Sequence, residues 1–216
     1  MFRKLFRSNN NNKPDRILDH PSKLRVSDAI ILGFDEHEDL SNAEFFVEKV
    51  TGLDLSEKKG YERRIFHLGE TRGNYPLLMW VDNGQTGERL AFSYSANQQH
   101  VEKMINISQF TQLFNHGRDY LVEVDGIKNS INQNNWIADK YIEELSHEVY
   151  WLDDDPNDTQ GNSNELGSEQ SCDYFCLMSK DRTAAIEAFV FDGGKTDVYF
   201  VKFLPIYKIE TLMPAS

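Results

Sequence analysis

Cys172 and Cys176 are the only cysteines of the chain, and a thiol pair at that spacing suggests either metal ligation or redox chemistry. A zinc site needs four ligands, usually two close pairs, but His147 is the nearest histidine before the pair and none follows it. The cysteines therefore read as free structural thiols. Asp153, Asp155 and Asn157 occupy the first, third and fifth positions of a calcium-loop spacing. The sixth position is Asp158 where the turn needs glycine, and the twelfth is Asn164 where a bidentate glutamate is needed, so the segment reads as a solvated acidic loop.

Other short motifs fail in the same way. His116-Gly117-Arg118-Asp119 imitates a kinase catalytic loop, but no glycine-rich loop, strand lysine or Asp-Phe-Gly accompanies it. Ser56-Glu57-Lys58-Lys59 has the serine–lysine spacing of penicillin-recognising enzymes without their other motifs. Gly193-Gly194-Lys195-Thr196 ends like a phosphate loop, yet it lacks the upstream glycine and the following helix. His67, in an apolar run with Glu70 nearby, reads as a partly buried histidine satisfied by a neighbour rather than a catalytic base. No catalytic residue, cofactor site or metal site emerges.

Charge is more informative. The chain has 216 residues with 23 Lys+Arg against 35 Asp+Glu, net -12, which opposes nucleic-acid binding. The segment from Tyr141 to Ser179 contains no Lys or Arg but ten acidic residues, among them Asp153, Asp154 and Asp155. The opening is basic: Arg3, Lys4, Arg7, Lys13, Arg16, Lys23 and Arg25 face only Asp15 and Asp19. Phe2, Leu5 and Phe6 would share one helical face flanked by Arg3, Lys4 and Arg7, a weak amphipathic peptide able to touch a membrane or a protein partner. No apolar run approaches the ~20 residues of a membrane-spanning helix. The start lacks a secretory h-region, so the expected location is cytoplasmic, peripheral to the inner membrane if the tail docks. There the sequons at Asn106 and Asn157 would stay unglycosylated.

These features hang on short apolar runs punctuated by turns. Residues 24–34 read as a strand ending at Gly33. Ser41-Asn42-Ala43-Glu44 offers a helix-capping box, but Phe45, Phe46, Val47 and the break at Gly52 favour a strand. Runs at 61–68, 76–81 and 89–94 form an antiparallel meander, with Asp82-Asn83-Gly84 as turn chemistry. A short helix is expected over 104–114, and a strand over 120–127 that turns at Asp125-Gly126. Residues 136–152 suit helix or strand, and 153–169 a surface loop. Strands follow at 172–179, 184–191 and 197–209, the last two joined by Asp192-Gly193-Gly194-Lys195-Thr196. That turn echoes Asp82-Asn83-Gly84-Gln85-Thr86, as if two strand groups were related units. The expected fold is α+β, predominantly antiparallel β, in short-stranded meander units with a few short helices. Residues 1–22 would be a flexible basic tail and linker, and 23–216 a single β-rich unit of two strand groups, 23–100 and 101–216.

The order of these segments, FVEKVTGLDL, ERRIFHLGE, PLLMWVDNG and the VFDGGKTDVYF hairpin, resembles the bacterial YjfK-like proteins, a domain of unknown function. The likeness covers most of the chain after the tail, with Ser27 standing where the family is expected to carry glycine. It implies an uncharacterised bacterial protein encoded beside membrane-stress and small membrane proteins, and it brings no active-site residues. The expected function is a noncatalytic interaction or accessory protein with a protein partner and a weak peripheral membrane contact through Phe2, Arg3, Lys4, Leu5, Phe6 and Arg7. The alternatives are a small-molecule enzyme, recognisable by a deep pocket of convergent polar groups, and an acidic inhibitor or immunity-type protein that captures a basic partner.

Overall fold

The computed structural model describes residues 16–55, 62–70, 77–84, 87–97, 99, 101–102, 108, 121–123, 136–156 and 169–215. Eleven strands form one antiparallel sheet: β1 (Ala29–Leu32), β2 (Glu44–Asp54), β3 (Glu62–Glu70), β4 (Leu77–Gly84), β5 (Gly87–Ala96), β6 (Leu121–Glu123), β7 (Lys140–Leu152), β8 (Glu169–Ser179), β9 (Ala184–Phe191), β10 (Thr196–Pro205) and β11 (Ile209–Met213). Their spatial order is β11-β1-β2-β3-β4-β5-β10-β9-β8-β7-β6, and β2 also pairs with β7. That extra pairing closes the eight strands from β2 to β5 and β10 to β7 into a barrel. β1 and β11 extend past β2, and β6 past β7.

The strand choice at β2 follows from its burial pattern. Phe45, Val47 and Val50 are buried while Phe46, Glu48 and Lys49 face outward, so a period of two slips by one residue at Glu48–Lys49. The ladder with β3 shifts register at that point, between Val47 and Lys49, which marks a bulge that bends β2 from its pairing with β1 toward β7. Gly52 sits on the closing seam opposite Leu152, where an added Cβ would lie 3.0 Å from Leu152 Cδ1 and 3.1 Å from Pro156 Cδ. The glycine that argues against a helix is what lets the barrel close.

Both faces of the sheet are covered, so the central strands lose their alternation; Leu77, Leu78, Met79 and Trp80 of β4 are all buried. One cluster, including Leu53, Ile65, Trp80, Val149, Tyr174, Phe189 and Val201, draws on every strand of the closed ring and fills its lumen. The second lies on the opposite face, where Phe45, Phe66, Phe92 and Phe200 pack under Leu24, Leu40, Val101, Trp136 and Ile137 from the connecting segments. Each such side chain contributes roughly 1.5–3 kcal/mol on burial.

The predominantly antiparallel β expectation holds; the α+β label does not fit, because helix among the described residues is confined to two three-residue 3₁₀ turns, Pro21–Lys23 and Ile206–Lys208, and to positions 99, 101–102 and 108. The helix expected over 104–114 and the turn at Asp125-Gly126 lie outside the described residues, apart from residue 108. Residues 140–152 are strand, which resolves that ambiguity. Asp82, Asn83 and Gly84 are not the turn but ladder residues, opposite Arg89, Glu88 and Gly87. Asp192 by contrast lies inside its turn, closed by Gly194 N–H to Phe191 O at 3.0 Å, with Gly193 at φ 87° and Gly194 at φ 83°. The two Asp-x-Gly-x-Thr strings thus occupy different positions. What the two halves share is topology: β1–β5 and β6–β10 are each a run of sequential neighbours, joined at β5–β10 and β2–β7.

Ser27 is strained for a physical reason. The Arg25–Asp28 turn is closed by Asp28 N–H to Arg25 O at 3.0 Å, and Ser27, at its third position, has φ 71°. An L side chain there costs about 1 kcal/mol that glycine avoids. Ser27→Gly should therefore raise the thermal midpoint by a few degrees, offset in part by the greater freedom of the unfolded chain. An unchanged or lower midpoint would show that the turn tolerates serine without strain.

Candidate functional site

The lumen is occupied by the protein's own polar and aromatic groups. Arg63 on β3 and Glu187 on β9 stand four strands apart in either direction around the ring, so their side chains meet across the interior. Arg63 Nη1 donates to both Glu187 carboxylate oxygens at 3.0 Å. The Tyr174 hydroxyl donates to Glu187 Oε1 at 2.7 Å, and the guanidinium lies 4.5 Å from the Trp80 ring centre. Burial works against the Arg63 charge, but Glu187 and Tyr174 outweigh it and hold the pKa above the ordinary arginine value. Phe189 fills the neighbouring space, with ring centres 5.4 Å from Trp151, 5.0 Å from Tyr174 and 5.7 Å from Tyr199.

The cysteines face this lumen from β8 as free, buried thiols. Four residues apart on one strand, their Cα atoms are about 13 Å apart, beyond disulfide reach. Burial pushes the Cys172 thiol up to about 11 and the Cys176 thiol up to about 12, so neither supplies thiolate at neutral pH. His67 is 2.9 Å from Thr51 Oγ1, a neighbour of the kind expected for a partly buried histidine. Burial, with help from Lys49, lowers its pKa and favours the neutral ring. Asp155 is not a free calcium ligand: Arg64 Nε reaches its Oδ1 at 2.8 Å and Arg64 Nη2 its Oδ2 at 2.5 Å. The same guanidinium donates to the carbonyls of Ser22 and Leu24, pinning the N-terminal segment beside the 153–156 loop. Gly193 to Thr196 leads into a strand, with Lys195 paired to Asp197 at 2.8 Å. His116 to Asp119, Ser56 to Lys59, Asn157 and the tail residues Phe2, Arg3, Lys4, Leu5, Phe6 and Arg7 lie outside the described residues.

Concavities open on the surface formed by the described residues. A pocket of about 190 Å³ lies over Trp80 and Arg63, and two of its carboxylates are already engaged: Asp82 by Arg89 at 2.6 Å, and Glu88 by His20 at 3.1 Å. The larger is an open groove of about 860 Å³ between residues 16–26, the bulged part of β2 and the 153–155 loop. Arg16, Lys23, Arg25, Lys49 and Arg64 contribute cations to it, opposed by Glu48 and Asp153 to Asp155. Arg16 is spoken for by Asp28 and Arg64 by Asp155, whereas Arg25 and Lys49 are exposed and, among the described residues, make no ion pair. Ile17 and Val26, 78% and 54% exposed, stand among these cations.

Arg16 and Ile17, the first described residues of the chain, line this groove. Residues 16–22, expected to be linker, are instead anchored by Arg16 to Asp28, by His20 to Glu88 and by Arg64 to the Ser22 carbonyl. Sequence reasoning located the basic head but missed Ile17, Val26 and Lys49 as a surface, because single apolar residues in a polar stretch give no periodic signal. It also missed the lumen pair, for which the one visible sign is an acid inside the apolar run Ala184-Ala185-Ile186-Glu187-Ala188-Phe189. No family model, curated protein or solved structure matches the chain.

Proposed function

We propose that this chain is a noncatalytic interaction protein whose contact surface is the basic tail together with the groove at residues 16–26 and Lys49. The observation that carries this reading is the placement of exposed Ile17 and Val26 beside exposed Arg25 and Lys49, in a chain whose first seven residues have the same mixture of apolar and basic types. Cations draw an anionic surface close, and the aliphatic side chains then gain by leaving water. The ion pair and aromatic rings that fill the lumen also favour an outer contact over a ligand held inside the barrel. A weak anionic-membrane contact strengthened by a protein partner fits this mixture of exposed apolar and basic side chains. The acidic-inhibitor alternative draws on the charge of 141–179, but Glu144 is neutralised by Arg182 and Asp155 by Arg64. The small-molecule enzyme alternative would need convergent reactive groups, whereas His67 is held by Thr51 and both thiols are buried.

Co-sedimentation with vesicles containing phosphatidylserine tests the reading. The intact chain should bind at low salt and lose most of that binding near physiological ionic strength, where the Debye length falls to about 8 Å. Removing residues 1–12, or changing Lys23, Arg25 and Lys49 together to serine, should each weaken low-salt binding severalfold, at about 1 kcal/mol per basic residue near the surface. Equal sedimentation of all three proteins would defeat the proposal.

A further inference from the structure

His37 lies in the loop joining β1 to β2 and is 2% exposed, yet neither ring nitrogen has a hydrogen-bond partner among the described residues. Such a group is unusual, because a buried polar atom without a partner carries its full desolvation cost. The loop is built to hold the ring inward. The His37 N–H donates to Asp35 Oδ1 at 2.9 Å, and the His37 carbonyl accepts from Leu40 and Ser41 at 3.0 and 2.9 Å. The imidazole packs edge-on against Trp136, ring centres 4.7 Å apart at 84°, and the Trp136 indole N–H donates back to Asp39 of the same loop at 3.0 Å. His37 and Trp136 thus form a clasp between the β1–β2 loop and the segment leading into β7.

We infer that this clasp is an acid-released latch: protonation of His37 frees the β1–β2 loop from Trp136 and uncovers the apolar side chains beneath it. A charged imidazolium cannot stay in this site without a partner, whereas in an opened loop water solvates it. The charged groups around the ring divide. Asp35 and Asp39 of its own loop favour the cation, Lys202 of β10 opposes it, and Asp35 is itself bound by Lys208 at 2.9 Å. Burial dominates and lowers the His37 pKa from 6.5 to about 4. A depressed histidine pKa means the latch is fully favoured above about 6.5 and weakens as pH falls through 4; the opening equilibrium rises on the order of 100-fold by pH 4. Leu40 and Ala43, buried in the closed loop, and Trp136 are the surface such opening would offer a partner.

The experiment follows the Trp136 indole N–H by NMR between pH 7.5 and 4, with Trp80 and Trp151 as internal references and Trp136→Phe for assignment. The Trp136 signal should move and exchange with solvent faster over this interval while the other two stay constant. His37→Phe, which keeps an edge-on ring but cannot protonate, should abolish the change; Asp39→Asn should keep it. The His37 ring shifts of the unmodified protein supply a readout that needs no variant, with a midpoint well below 6.5. A flat Trp136 signal down to pH 4, a transition that survives in His37→Phe, or one that vanishes in Asp39→Asn would each overturn the inference.

Discussion

Replacing Glu187 with alanine will lower the unfolding free energy by about 3–5 kcal/mol, because it strands the Arg63 guanidinium inside the barrel without its counter-charge. The pair is largely internal, with side-chain exposures of 10% for Arg63 and 5% for Glu187. Tyr174 can offer Arg63 only a long contact at 3.5 Å in compensation, and its own hydroxyl loses the 2.7 Å bond to Glu187. The double variant Arg63→Met, Glu187→Leu should recover most of the loss, since well-packed apolar residues often replace a buried ion pair without penalty. Urea unfolding of the three proteins measures this, with the midpoint moving at constant slope. A Glu187→Ala midpoint within about 1 kcal/mol of the starting protein would mean that water enters the lumen and solvates Arg63.

Asp28→Ala should cost about 3 kcal/mol and loosen both described ends of the chain at once. Asp28 is 1% exposed and its carboxylate gathers three donors: the Arg16 guanidinium, the Arg25 N–H at 2.6 Å and the Ala215 N–H at 2.8 Å. Hydrogen bonds to a charged acceptor are worth about 1.5–3 kcal/mol each, discounted here because Arg16 remains partly in water. Asp28→Asn keeps the shape without the charge and should lose roughly half as much. Limited proteolysis should then cut near residues 16–25 and 209–215 well below the denaturant concentration that opens the barrel. If the cuts appear only on global unfolding, Asp28 is not the clasp of the two ends.

Local strand chemistry was readable in the sequence because it is carried by neighbouring residues. The aromatic and β-branched run Phe45-Phe46-Val47 with the break at Gly52, and the paired glycines at 193 and 194, each act within a few positions. Closure of the barrel was not readable. It depends on three residue pairs, Gly52 to Asp54 against Leu152 to Tyr150, from segments about a hundred positions apart and specified by shape rather than by a motif. The lumen pair shows the same limit: Glu187 stands out as an acid in an apolar run, but its partner lies 124 residues away. Ser27, marked as a departure from an expected glycine, does occupy a left-handed turn position. At the proposed surface the basic charges were legible and the exposure of Ile17 and Val26 was not, since exposure is decided by what packs over a residue.

The proposed contact is made by the surface around residues 16–26 rather than by the barrel interior. Because Cys172 and Cys176 are buried, an introduced cysteine can be labelled selectively with an environment-sensitive dye. Val26→Cys places the dye in the groove; Leu121→Cys places it on β6, also at an exposed apolar position but beside the other end of β7. On adding phosphatidylserine vesicles at low salt, the dye at position 26 should shift to the blue and brighten, and salt should reverse the change, while the dye at position 121 stays constant. Equal responses at the two positions, or none at 26 while the protein sediments with the vesicles, would contradict the claim.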